Sequence, residues 1–168
     1  MTVPQQTWIG TNEPVEAEFE PIANKDDPPH KPSGGLWTSS AFIKNGHVYS
    51  DWLRWVETES FYNDAEVVYT LEPEEREYDI LRVHTQFHLE ALLERYGRDD
   101  AIPTQTLAPL DFEAMASDYD AIHLTEQGQR ETRMSRPGLY GWDSETYLWF
   151  EWVFTEVTDS VPITRIVE

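Results

Sequence analysis

The residues best suited to chemistry lie in Gly141-Trp142-Asp143-Ser144-Glu145, where two carboxylates stand beside a large ring at the entrance to an aromatic run. Desolvation by that ring would raise a carboxylate's pKa, one route to a catalytic acid or base. The alternative is that Asp143 and Glu145 are solvated turn residues. His84 and His88 are four apart, a spacing that puts both on one face of a helix and suits a metal, but HTQFH lacks the Glu of the zinc-protease motif and His84 falls at a strand end. Two ordinary histidines, and no metal site, are the expectation. His123, in a short apolar stretch, reads as a satisfied interior histidine. Arg130, Arg133 and Arg136 put three of nine arginines within seven residues. Such an island could hold a phosphate through planar donor forks; pairing with the abundant neighbouring carboxylates is the simpler reading. Gly34-Gly35 matches neither phosphate-binding glycine fingerprint, no nucleophilic-serine elbow is present, and the absence of cysteine excludes disulfides and thiolate chemistry.

These groups need a scaffold, and the aromatic run supplies its centre. From Thr146 to Val157 the chain alternates as a strand, with Thr146, Leu148, Phe150, Trp152 and Phe154 on one face, and Tyr147, Trp149, Glu151, Val153 and Thr155 on a mixed, partly wetted face. Further strands are expected at Thr7–Gly10, Leu36–Ser40, Glu66–Leu71, Tyr78–Val83 and Tyr119–Leu124. Ser50 should cap a helix that buries Trp52, Trp55 and Val56, and Thr85 one running to Tyr96 with Phe87, Leu89, Leu92, Leu93 and Tyr96 as its apolar stripe. Leu110–Ser117 fits a short helix. DDPPHKPSGG is a turn-forming connector, the stretch holding Pro103 and Pro109 an exposed linker, and Gln127–Gly138 a loop. Five or six strands and three short helices in mixed order predict an α+β fold in a single domain, built on a mostly antiparallel, aromatic-rich sheet. Residues 1–30 are expected to form an extended acidic segment wrapping a domain of residues 31–168.

The chain has 168 residues and 32 Asp plus Glu against 12 Lys plus Arg, for a net charge of -20. So acidic a surface points to a halophile: in molar salt the Debye length falls to about 3 Å and carboxylate repulsion is screened. The melting temperature should therefore rise from dilute buffer to molar KCl; a flat response would remove the inference. General nucleic-acid binding is excluded by the lack of a basic stripe. No run of about 18 apolar residues suggests a membrane span, and no basic, apolar leader pattern is evident, so the expectation is a soluble cytoplasmic protein.

KPSGGLWTS followed by SDWLRWVE resembles the segment of ADP-ribosyltransferase-like toxin domains in which a Gly, an aromatic and a Thr or Ser end a strand before a Trp-containing helix. YTLEP, YDILRV, LLERYG, YDAIHLT and LYGWDSETYLWF look like later blocks of uncharacterised proteins of tailed viruses and their hosts with the same organisation. Together these segments span about residues 31 to 154. The resemblance implies NAD as substrate, Trp37 stacked on nicotinamide, Thr38 and Ser39 lining its pocket, Glu145 as the catalytic acid near the ribose, and Arg133 near the pyrophosphate. It further implies ADP-ribose transfer to an unspecified acceptor, in a halophile's cytoplasm or with a virion. Such domains usually carry a His or Arg on the first strand; Trp8-Ile9-Gly10-Thr11 has neither. The alternative is a noncatalytic interaction or virion-associated module of this fold, with a protein partner met by exposed Trp and Tyr.

Overall fold

The computed structural model describes residues 2–26, 31–98, 109–136, 138–139 and 141–167. His30 and Pro103 lie outside them. The strands are β1 (Gln6–Gly10), β2 (Leu36–Ser40), β3 (Phe42–Lys44), β4 (His47–Tyr49), β5 (Val67–Pro73), β6 (Ile80–Val83), β7 (Ala121–Leu124), β8 (Thr146–Trp149) and β9 (Phe154–Pro162). The helices are α1 (Asp51–Thr58), α2 (Gln86–Tyr96), α3 (Phe112–Asp118), α4 (Glu126–Thr132) and α5 (Ile163–Val167). Seven strands form one sheet in the order β6-β7-β8-β2-β1-β5-β9. Every pairing in it is antiparallel except β6 with β7, which are joined through α2 and α3, the crossover a parallel pair requires. The fold is α+β, as the mixed order of elements predicts.

Strand register sets which residues share a face. Ile122, Leu148 and Trp37 form one cross-strand row; Ala121, Trp149 and Leu36 form the next, on the opposite face. On the first face α2 and α3 cover Val83, Ile122, Leu124 and Leu148, while α1 and α5 cover Ile9 and Val68 with Leu53, Val56 and Ile163. On the other face Leu71, Tyr78, Tyr147, Trp149, Val153 and Phe154 form an aromatic cluster.

The helix starts follow the sequence closely: Ser50 and Thr85 accept hydrogen bonds from Leu53 N–H and His88 N–H, satisfying donors that a first turn leaves free.

Several expectations need correction. Thr146–Val157 is not one strand. β8 pairs with β7 and β2 in the middle of the sheet, β9 pairs with β5 at its edge, and residues 150–153 carry the chain across the aromatic face between them. Both faces of β8 are consequently buried, with no wetted side. The N-terminal segment is built into the sheet, since β1 lies between β2 and β5, and Ala23 bridges Ser33 across the proposed boundary at residue 30. Gln127–Gly138 holds α4, capped by Thr125; Gly128 lets this helix approach β6 so closely that a Cβ there would stand 2.1 Å from Val83 O. Phe87 leaves the α2 stripe and is 79% exposed. The hairpin β3–β4 turns on Asn45-Gly46, both at positive φ, as a two-residue hairpin loop requires. No helix among the described residues is long and apolar enough to cross a membrane.

Candidate functional site

Antiparallel pairing of β2 with β8 sets Thr38 opposite Tyr147, so the residue two before Tyr147 arrives beside the end of β2. That residue is Glu145. Its Oε2 accepts hydrogen bonds from Ser39 Oγ at 2.7 Å and Ser40 N at 2.9 Å; its Oε1 accepts from Ser40 Oγ at 2.7 Å and His123 Nε2 at 2.7 Å. An ionised carboxylate can only accept, so His123 presents Nε2–H to it. His123 stacks on Tyr147 at 3.8 Å, and Tyr147 on Trp149 at 5.4 Å. The backbone N–H of Glu145 donates to Asp51 Oδ2 at 2.7 Å, tying the acid to the first residue of α1.

Glu145 is 8% exposed. Burial disfavours its charged form, yet the hydrogen bond and charge of His123, with Ser39 and Ser40 N–H, outweigh burial and hold the carboxyl below its usual range. This overturns the expectation that desolvation beside Trp142 raises it, and equally the reading of Glu145 as a solvated turn residue. Tyr147 is pushed up to about 12 by burial and then by the Glu145 charge.

Next to this network lies a cavity of about 390 Å³ lined by five of the seven tryptophans, Trp8, Trp37, Trp52, Trp55 and Trp142, together with Lys31. Thr38, Asp143, Ser144 and Thr146 complete its polar rim. α1 buries Leu53 and Val56, while Trp52 and Trp55 are only half-buried, packed at the margin of the core and lining the cavity, a correction to the expected fully buried tryptophan face. Trp37 and Trp142 meet edge to face at 4.9 Å. Lys31 Nζ sits 4.5 Å from the Trp37 ring centroid and donates to Gly141 O at 3.1 Å; burial lowers its pKa, with the Asp143 charge opposing.

The structure thus brings Trp37, Thr38, Ser39 and Glu145 together, but not on one wall. Trp37 and Thr38 line the cavity, flanked by Ser144 and Thr146. Ser39 and Glu145 lie behind that wall, locked to each other. Thr38 Oγ1 is also engaged, donating to Gln6 Oε1 at 2.6 Å and accepting from Trp149 Nε1 at 2.9 Å. Arg133 lines an adjoining hollow with Arg54, Arg130 and Glu126, which shares Trp55 and Asp143 with the tryptophan cavity. Arg130 pairs with Glu126, as the abundance of acids suggests, and Arg54 pairs with both Glu126 and Asp51. His84 and His88 bond to each other's neighbourhood, His84 N to His88 Nδ1 and His84 Nδ1 with Thr125 Oγ1. No cluster of metal-ligating residues is found among the described residues.

Sequence reasoning missed His123, Ser40 and Asp51 as partners of the acid, and Lys31 with Trp8, Trp52, Trp55 and Trp142 as cavity walls. His123 carried one usable signal: set between Ile122 and Leu124 in an apolar stretch, its imidazole must find a polar partner once the strand is buried. Comparison of the chain with protein-family models, curated proteins and solved structures finds no match.

Proposed function

We propose that this chain is an NAD-binding protein of the ADP-ribosyltransferase-like kind, taking the nicotinamide end of the dinucleotide into the tryptophan-lined cavity. The observation that carries the reading is the hydrogen bond between Ser39 and Glu145, 106 residues apart, directly behind the wall formed by Trp37 and Thr38. Indoles offer flat faces to the nicotinamide ring, and the neighbouring hollow with Arg54, Arg130 and Arg133 offers donors to the pyrophosphate. In this reading Glu145 is an ionised carboxylate near the ribose, opposing the positive charge that develops as nicotinamide leaves. The first-strand His or Arg is replaced in part by His123, which reaches the same carboxylate from β7.

NAD in molar KCl should raise the melting temperature and release nicotinamide slowly. Glu145→Gln keeps most of the network: the amide oxygen can replace Oε2, and its NH₂ can donate to Ser40 Oγ and to a His123 tautomer protonated on Nδ1. That variant should keep NAD protection and lose nicotinamide release. Release unchanged in it would reject the role of the acid; absence of protection in the parent chain would reject NAD binding altogether.

A second reading has its own observation. Ser39, Ser40 and His123 place two donors on each carboxylate oxygen of Glu145, which fills its acceptor positions, so a noncatalytic module that keeps the acid as an internal brace fits as well. Protection by NAD without any nicotinamide release would select it.

A further inference from the structure

The tryptophan cavity has a charge pattern that the dinucleotide reading does not use. Its walls carry one cation, Lys31, and one anion, Asp143, and no ion pair joins them among the described residues. Lys31 spends one of its three N–H donors on Gly141 O, which leaves two for a ligand. The seating of its ammonium 4.5 Å over Trp37 also shows that this indole presents a face to positive charge. Among the described residues Trp8 meets Tyr69 and Trp55 meets Phe61, and neither these two nor Trp52 makes a ring contact with another indole, so their faces are not consumed by indole–indole stacking.

We propose that this cavity is a binding site for a small zwitterion whose cation is quaternary or spread over a ring. The cation lies among the tryptophan faces on the Asp143 side, and the anionic group takes the free N–H donors of Lys31. A tetrahedral or planar cation that cannot donate hydrogen bonds loses little hydration on entering an aromatic enclosure, whereas a primary ammonium would forfeit three hydrogen bonds. Lys31 and Asp143 are both partly buried, so molar salt screens them less than it screens the exposed acidic surface. This inference concerns the same cavity but does not depend on NAD binding.

The test is a fluorescence and thermal-shift titration in molar KCl with matched probes, using the tryptophans of the wall as reporters. Trimethylammonioacetate carries both charges, 3,3-dimethylbutanoate replaces its nitrogen by carbon, and tetramethylammonium lacks the anion; 1-methylpyridinium-3-carboxylate supplies a ring-delocalised cation. At least one zwitterion should bind roughly tenfold or more tightly than either single-charge probe, the increment expected of a desolvated cation–π contact plus one charged hydrogen bond. Lys31→Met, which keeps the stem over Trp37, should remove the advantage over tetramethylammonium. Asp143→Asn should shrink the advantage over 3,3-dimethylbutanoate. Failure of both zwitterions to bind the folded chain, or binding of 3,3-dimethylbutanoate as tight as that of trimethylammonioacetate, would overturn the proposal. NAD protection without zwitterion binding sinks this inference alone, and the converse sinks the dinucleotide reading alone.

Discussion

Trp149→Ala is expected to cost about 3–5 kcal/mol of stability, the range for deleting a fully buried large aromatic, and to lower the melting temperature on the order of 10 °C for a chain of this size. Trp149 is fully buried on a central strand, paired with Leu36 on one side and Ala121 on the other. Its ring stacks on Tyr147 and meets Tyr78 and Phe154 edge to face at 5.5 and 5.4 Å, so its loss opens a void that three rigid rings cannot close. Its Nε1–H also supports Thr38 Oγ1, a residue of the cavity rim. Chemical denaturation of the variant in molar KCl measures the cost directly. A loss below about 1 kcal/mol, the range of surface substitutions, would mean that the aromatic face is far more plastic than its ring geometry implies. Trp149→Phe retains an aromatic ring while losing the N–H donor to Thr38 and part of the volume, so it should cost less than Trp149→Ala.

Glu145 should produce the second large effect, and one with a pH signature. Glu145→Ala leaves Ser39 Oγ, Ser40 N, Ser40 Oγ and His123 Nε2 without their common acceptor in a buried site. Removing one partner of a buried charged network costs about 3–5 kcal/mol. Glu145→Gln should cost about 1–3 kcal/mol, since only part of the set loses its acceptor. The folded carboxyl is held below its ordinary value of 4.5. Ionised Glu145 therefore contributes stability that is complete above pH 4.5 and is lost as pH falls from there through the folded value. Both variants should flatten the acid limb of the stability curve relative to the parent chain, although Asp111, Asp120 and Glu131, also held low by their hydrogen bonds and neighbouring charges, keep some slope. An acid limb as steep in Glu145→Gln as in the parent would show that the network does not favour the ionised carboxylate. This measurement needs no ligand, so it tests the electrostatics of the site whether or not NAD binds.

Local features of this chain were legible in its residues for a local reason. Ser50 and Thr85 begin helices because a side-chain oxygen followed by free N–H groups satisfies them without outside help. Leu36–Ser40 is a strand with the bounds its composition suggests. The α4 helix was invisible because Gln-Gly-Gln carries no apolar period; it is held by its Thr125 cap and by the contact of Gly128 with β6, a partner far away in the chain. The break after Trp149 was invisible too. Alternation of apolar residues continues through it, and only the positions of β5 and β2 in the sheet require the chain to change strands there.

By itself the sequence determined the acidic composition, the α+β class, the capped starts of α1 and α2, the β2 strand, and the small set of residues, Trp37 to Ser39 and Glu145, worth bringing together. Only the tertiary structure decided how they meet. Antiparallel register between β2 and β8 delivers Glu145 to Ser39 and Ser40, and the neighbouring β7 delivers His123 to the same carboxylate. Trp142 belongs to one core cluster, and Trp8, Trp37, Trp52 and Trp55 pack half-buried at the margins of the three, so that five indoles surround a common cavity. The physical reason is range. Caps, turns and periodicity are written within a few residues, whereas a carboxylate's protonation and a cavity's walls depend on groups that only sheet pairing makes neighbours.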